Sequence, residues 1–170
     1  EYSAGWIQEI KSGDFNQDGL IDLAIGNLGL NSKLKASVEK PVWLYHYDFD
    51  SNGQNDPIIF RYLGERLVPF VSRDDLIAQI PGIKGKHSSY AEYSKVSSPE
   101  ELLASEALQK ANKYPVHNFQ SGVYFQNESG GFEFKPFPSE AQLSPINSIE
   151  WIEEKGQLIL GGNMSGFRVD

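Results

Sequence analysis

Residues 14–22 read DFNQDGLID, and residues 48–56 read DFDSNGQND. Both stretches place an acid or an amide at the first, third, fifth and ninth positions and glycine at the sixth. Short apolar-rich runs flank them: GWIQEIKSGDF and LIDLAIGN around the first, PVWLYHYDF and DPIIFRYL around the second. Runs of this kind, bounded by Asp, Asn and Gly, are typical of β-strands. We therefore expect a mainly β fold in which each nine-residue loop joins two strands.

The alternating oxygen-bearing residues of each loop predict a calcium site. Ca²⁺ takes about six to eight oxygen ligands, and a tight loop supplies them from alternate side chains and one carbonyl. A glycine at the sixth position permits the bend. The predicted ligands are the side chains of Asp14, Asn16, Asp18 and Asp22 with the carbonyl of Leu20 in the first loop, and the side chains of Asp48, Asp50, Asn52 and Asp56 with the carbonyl of Gln54 in the second.

Two other interpretations of the loops are weaker. An EF-hand requires glutamate at the twelfth position between two helices, whereas Ile25 and Ile59 stand there and the flanks predict strands. The repeat could also reflect turn formation alone, because Asp, Asn and Gly are good turn residues. Turn chemistry does not explain an acid at the ninth position in both loops, so we favour two calcium sites.

Composition excludes several classes of protein. The 170 residues carry 15 basic and 23 acidic side chains, a net charge of -8 that disfavours a nucleic-acid partner. The absence of cysteine excludes disulfides and thiolate metal sites. We also expect no membrane span, because no stretch approaches the roughly 18 apolar residues that one needs.

Residues 72–113 depart from the β pattern and predict a helical insertion. Ser72 caps a short helix that Pro81 ends, a second helix is possible within KHSSYAEYSKV, and SSPEELLASEALQKAN predicts the longest helix. An apolar stripe of this last helix is expected to pack on the sheet; its residues are Leu103, Ala104, Ala107, Leu108 and Ala111. We expect an outward surface for a protein or carbohydrate partner, with Tyr90, Tyr93, Lys95 and Lys110 as contact residues.

The C-terminal part predicts further β structure. One hairpin is predicted from the strands FQSGVYFQ and FEFKPF with the turn NESGG between them. Another is predicted from INSIEWIEE and GQLILGGN. GQLILGGNMSG also echoes GLIDLAIGNLG, with Leu158 aligned to the final aspartate of the first loop, Asp22. This third copy keeps the strands and loses the ligands.

The phrases GDFNQDGLIDLAIGNLGLNS, YHYDFDSNGQNDPII and SEAQLSPINSIEWI resemble the FG-GAP or VCBS repeats of calcium-binding β-propellers, which also occur in integrin α-subunit heads. They look most like large bacterial members associated with ASPIC/UnbV-type proteins. The resemblance covers almost the whole chain. It implies blades of four-stranded antiparallel sheet with calcium in hairpin loops at one rim.

The resemblance implies a calcium-binding binding or scaffolding module at the bacterial cell surface, in the periplasm or outside the cell. Residues 1–170 would form a single propeller segment of about two to three blades. A closed ring needs four to eight blades, so this number is too small to close one. The chain is then expected to be a fragment of a longer one, with the remaining blades as neighbours. The alternative is part of a propeller-based hydrolase or lyase acting on polysaccharide.

No catalytic constellation is identified, so we expect no enzyme activity. His46, His87 and His117 do not have the spacing of metal ligands. The acids that could perform acid–base chemistry lie in the cation loops, where they must stay ionised. Asp74 and Asp75 follow the cap of a helix and suit its positive end.

Overall fold

The computed structural model describes residues 3–163 and shows a mainly antiparallel β fold. The chain forms two compact units: one comprises Ser3–Lys33 and the chain from Asn118 onward, and the other is Leu34–His117. Within residues 3–163, no helix is long and apolar enough to cross a membrane. The strands are β1 (Glu9–Gly13), β2 (Asp22–Gly26), β3 (Val42–Tyr47), β4 (Asp56–Leu63), β5 (Arg66–Pro69), β6 (Asn112–Val116), β7 (Gly122–Gln126), β8 (Phe132–Pro136), β9 (Ser148–Ile152) and β10 (Gln157–Gly161).

The first unit contains a four-stranded antiparallel sheet of order β1-β2-β7-β8 and the separate hairpin β9-β10. The hairpins predicted around DFNQDGLID, NESGG and the C-terminal pair are confirmed as β1-β2, β7-β8 and β9-β10. The strands β2 and β7 are neighbours, although residues 27–121 separate them along the chain. The whole second unit lies in the part of the sequence between these two strands.

The second unit has its own four-stranded antiparallel sheet, of order β5-β4-β3-β6. The hairpin predicted around DFDSNGQND is confirmed as β3-β4. Five short helices follow β5: α1 (Arg73–Gln79), α2 (Ile83–Lys86), α3 (Tyr90–Tyr93), α4 (Pro99–Leu102) and α5 (Ser105–Lys110). The predicted cap of α1 is confirmed, since the Ser72 side chain accepts a hydrogen bond from the Asp75 amide. Sequence reasoning did not find β5 and β6.

The prediction of one long helix within residues 97–112, SSPEELLASEALQKAN, is wrong. Leu103 adopts an extended conformation (φ -109°, ψ 154°) and ends α4, and a new helix starts at Ser105. Leu102 at the end of α4 and Leu103 at the break are both buried. Leu103 and Leu108 of the predicted stripe do lie in the core.

The core of the second unit is shared between its sheet and its helices. Tyr45, Ile58 and Phe60 from the sheet pack against buried side chains of the helical segment: Leu76, Ile80, Ile83, Val96, Leu102, Leu103 and Leu108. Since most of these side chains come from the helical segment, the sheet of this unit depends on the helices for its buried face.

Candidate metal centre

The two nine-residue loops adopt the same unusual backbone conformation. The fourth residues, Gln17 and Ser51, have φ of 63° and 62°, and the sixth residues, Gly19 and Gly53, have φ of 86° and 88°. Positive φ is unfavourable for any residue with a Cβ. Two different residues at the fourth position share it, which indicates that the surrounding interactions impose the loop shape.

The side chains at the first, third and fifth positions bind the same backbone amides in both loops. Asp14 accepts hydrogen bonds from the amides of Asp18 (3.1 Å) and Gly19 (2.9 Å). Asp48 accepts from Asn52 (3.0 Å) and Gly53 (2.8 Å). The third-position side chains accept from the fifth amide at 3.2 and 3.1 Å, and the fifth-position side chains accept from the seventh amide at 2.8 and 2.7 Å. These bonds turn the oxygen-bearing side chains toward the inside of each loop.

The ninth-position carboxylates are buried. Asp22 is fully buried and Asp56 is 4% exposed. Each accepts a hydrogen bond from the amide of the second loop residue, Phe15 or Phe49, at 3.0 Å. Within residues 3–163 neither carboxylate forms an ion pair with lysine or arginine. A buried carboxylate is unfavourable unless it is compensated, and a bound cation would supply the compensating charge.

Three carboxylates of the second loop converge. Oxygens of Asp48, Asp50 and Asp56 lie within 4.8 Å of one another, and within the described part of the chain this is the one such group of acidic, histidine or cysteine side chains. The first loop has Asn16 at the third position, and its amide nitrogen donates to Asp18 Oδ2 at 2.8 Å. The second loop is therefore the better formed of the two predicted sites.

Both loops are anchored by the aromatic residue at their second position, which sequence reasoning overlooked. Phe15 packs edge-on against Trp151, with ring centroids 4.9 Å apart, and contacts the core of the first unit. Phe49 contacts the core of the second unit and stacks edge-on with Tyr47 at 5.7 Å. The signal was present in the sequence, because both loops begin Asp-Phe.

A second overlooked feature is the link between the first loop and a distant strand. The second oxygen of Asp22 accepts a hydrogen bond from the amide of Gln126 in β7 at 2.9 Å. At the opposite end of the β2-β7 pair, Asn27, Ser121 and Gln142 form a buried polar network. The Ser121 hydroxyl accepts a hydrogen bond from the Asn27 amide, and the Gln142 side chain binds both backbone groups of Ser121. These bonds hold β2 and β7 together where the chain leaves and re-enters the first unit.

Each loop also borders an open cavity. Asn16, Asp18 and Leu20 line one in the first unit together with Phe125 and Lys135. Asp50 lines another in the second unit, together with Phe49, Ile83, Lys86 and Leu103. The seventh-position residues Leu20 and Gln54 follow the glycine bend, where their amides bind the fifth side chains. Both loops thus lie beside concave surface.

The predicted partner-contact residues occupy different environments. Tyr90 is exposed and its hydroxyl donates to Asp74 at 2.7 Å, with the Arg73 guanidinium above its ring. Tyr93 is half-buried; its hydroxyl donates to the Val71 carbonyl at 3.0 Å, and burial raises the pKa of the phenol.

The two lysines of that predicted set are exposed. Lys110 forms an ion pair with Glu106 one helical turn earlier.

Among the histidines, His87 contacts the Glu101 carbonyl through Nε2. His46 lies in β3, and within residues 3–163 no histidine joins a metal-ligand group.

Comparison of the chain with models of protein families, with curated proteins and with solved structures finds no match.

Proposed function

We propose that both loops bind Ca²⁺ and that the chain is a calcium-stabilised binding module. The observation that carries the proposal is the shared loop geometry: identical positive-φ positions, matching hydrogen bonds and, in the second loop, three converging carboxylates. The two ninth-position aspartates are buried without an ion-pair partner within residues 3–163. A cation in each loop would balance this charge.

The ligand chemistry favours calcium over other metals. All the candidate side-chain ligands are carboxylate or amide oxygens, which suit hard cations, and neither cysteine nor a convergent histidine is among them. Mg²⁺ demands near-octahedral geometry and keeps several waters, whereas Ca²⁺ accepts the irregular set that a short loop offers. The predicted sites therefore fit calcium best.

The two four-stranded antiparallel sheets are consistent with blades of an FG-GAP or VCBS-type propeller, to which the sequence bears a resemblance. We propose that they act as such blades beside further blades of a longer chain. Loops in extracellular modules bind calcium at about 10⁻⁴–10⁻³ M and are filled where calcium is abundant. This range supports a location outside the cytoplasm, at the cell surface or in the periplasm.

Binding is a better supported role than catalysis. A general acid working near neutral pH needs a raised pKa. Glu39, Glu92, Glu101 and Glu106 instead have pKa values lowered, by hydrogen bonds to backbone amides, serine hydroxyls or a lysine. We propose a protein or carbohydrate ligand, held at the concave surface beside the loops or on the helical segment that carries Tyr90, Tyr93, Lys95 and Lys110.

Calorimetric titration of the purified chain with Ca²⁺ tests the proposal. Two sites are expected, with dissociation constants of about 10⁻⁴–10⁻³ M. Asp48→Asn should remove the site of the second loop and leave the first. Asp74→Asn, which changes an exposed acid outside both loops, is the matched control and should leave both sites. Equal binding by all three proteins would refute calcium binding in the loops.

A further inference from the structure

The fifth and sixth positions of the second loop form the pair Asn52-Gly53. No other asparagine of the chain is followed by glycine, and the first loop has Asp18-Gly19 at the same place. Asparagine before glycine is especially prone to spontaneous deamidation, because glycine has no Cβ to shield its amide nitrogen from the preceding side chain. The chain therefore has one strongly reactive asparagine, and it lies among the predicted calcium ligands.

The reaction at this pair needs no reagent other than water. The Gly53 nitrogen bonds to the side-chain carbonyl carbon of Asn52, and the bond from that carbon to the side-chain nitrogen breaks. The proton of the Gly53 amide leaves with that nitrogen as ammonia. The succinimide ring that results then takes up one water molecule. Opening at one carbonyl gives aspartate, and opening at the other gives isoaspartate, in which the backbone runs through the former side chain.

Water has free access to this pair. Asn52 and Gly53 are both exposed, and a Cβ built on Gly53 would meet no atom within 4 Å. The preceding residue, Ser51, has a φ of 62°, which is unfavourable for a residue with a side chain. The loop thus holds the reactive pair at the surface, in a conformation that its own backbone does not favour.

In the closed loop, both reacting groups are held by other partners. The Gly53 amide donates to Asp48 Oδ2 at 2.8 Å, and Asn52 Oδ1 accepts from the Gln54 amide at 2.7 Å. Attack on the Asn52 side chain turns the Gly53 nitrogen away from Asp48 and moves the Asn52 oxygen away from Gln54. A cation that binds Asp48 and Asn52 together would hold both side chains where these hydrogen bonds place them.

We propose that Asn52 is a site of spontaneous deamidation and that a cation in the second loop prevents the reaction, a protection that rests on the calcium binding proposed above. Aspartate at position 52 gives the second loop the same charged fifth residue as Asp18 in the first. Isoaspartate adds one carbon to the backbone between the fifth and sixth positions and so displaces the Gln54 carbonyl from the fifth side chain. Loss of calcium therefore changes the site covalently, and the change persists when calcium returns.

The test is incubation of the purified chain in calcium or in chelator, followed by mass spectrometry of its peptides with fragmentation to locate the modified residue. In chelator, Asn52 should convert, whereas Asn127, which is also exposed but precedes Glu128, should not. Asn52→Asp supplies the aspartate product as a chromatographic standard. Calcium at 100 times its dissociation constant leaves about 1% of the loops empty, so the rate at Asn52 should fall about 100-fold if only the empty loop reacts.

Calorimetric titration of the same samples distinguishes failure of this inference from failure of calcium binding. Conversion of Asn52 in chelator no faster than that of Asn127 would overturn the deamidation site, whether or not calcium binds. Equal rates at Asn52 in calcium and in chelator, in a sample whose second loop binds calcium, would overturn the protection alone. Asp48→Asn, which should lose the second site, is expected to convert at the same rate in both conditions. Protection by calcium that survives in this variant would also overturn the proposal.

Discussion

At the scale of single residues, the ninth position of each loop carries a buried carboxylate, which an ordinary turn does not require. Asp22 and Asp56 are both buried, and both fix the start of their loop through the Phe15 or Phe49 amide. Spacing within nine residues is enough to name candidate ligands, and these stay a prediction. The sequence could not predict the bond from Gln126 to Asp22, because that contact depends on a strand pairing that spans about a hundred positions.

The hydrogen bond from Gln126 to Asp22 has no counterpart at Asp56, so substitutions of the two aspartates should differ in their effect on stability. Asp22→Asn replaces an oxygen that accepts a backbone amide by a donor, so it should destabilise the first unit by about 1–3 kcal/mol even in excess chelator. Asp56→Asn, its matched control, can keep its one amide contact and should have a smaller effect under chelation. Urea unfolding of both variants tests this, and equal losses would refute the structural role of Asp22.

The fifth position provides a second comparison, between Asp18 and Asn52. Their side chains make equivalent contacts to the seventh amide. Because Asp18 carries a charge and Asn52 does not, Asp18→Ala should weaken its calcium site more than Asn52→Ala weakens the other. Calcium titration of the two variants provides the test. A larger loss for Asn52→Ala would contradict the assigned ligand roles.

At the scale of elements, local signals predicted the hairpins and the cap of α1 correctly, whereas tertiary packing decided the helix boundaries. The run SSPEELLASEALQKAN has good helix formers throughout, yet it breaks at Leu103. Leu102 and Leu103 beside the break and Leu108 after it all pack in the core of the second unit, so the break lies within tightly packed chain. Likewise β5 and β6 are short edge strands, which form through their pairing with β4 and β3.

The hydrogen bonds of Glu92 at the start of α3 predict a pH dependence of stability. Glu92 accepts hydrogen bonds from the Ser88 hydroxyl and from the amides of Ser88 and Ser89, which lower its pKa below the ordinary 4.5. A lowered pKa in the folded state stabilises the protein above the unfolded value, and this stabilisation is lost as the pH falls through the folded value. Unfolding at neutral pH should therefore be easier for Glu92→Gln than for wild type, and the difference should disappear in acid. A difference that grows in acid would contradict this account.

At the scale of the whole molecule, the chain divides into two units with one loop each. The first loop, at Asp14–Asp22, belongs to the discontinuous unit, and the second, at Asp48–Asp56, belongs to Leu34–His117. The repeat of the nine-residue loop could be read from the sequence. The nesting of the second unit between β2 and β7 could not, because strand order is set by pairings far apart along the chain.

The helical segment is expected to be structural for the second unit. Replacing residues 73–111 by a short Gly-Ser linker, which keeps all of β6, removes Leu76, Ile83 and the other helix-borne side chains of the core, and should unfold the rest of Leu34–His117. Loss of protection of the β3 and β4 amides in hydrogen exchange would report this unfolding. Retention of a protected β3-β4 pair would instead support the prediction of a dispensable, partner-facing insertion.

The most direct test of calcium binding is the thermal unfolding of the chain in calcium and in excess chelator, with magnesium at equal concentration as the control. At 100 times its dissociation constant, calcium should add about 2.7 kcal/mol per site and raise the melting temperature. Asp48→Asn should abolish that gain for the second unit alone, because the first loop lies in the other unit. The same melting curve in calcium and in chelator would contradict the account.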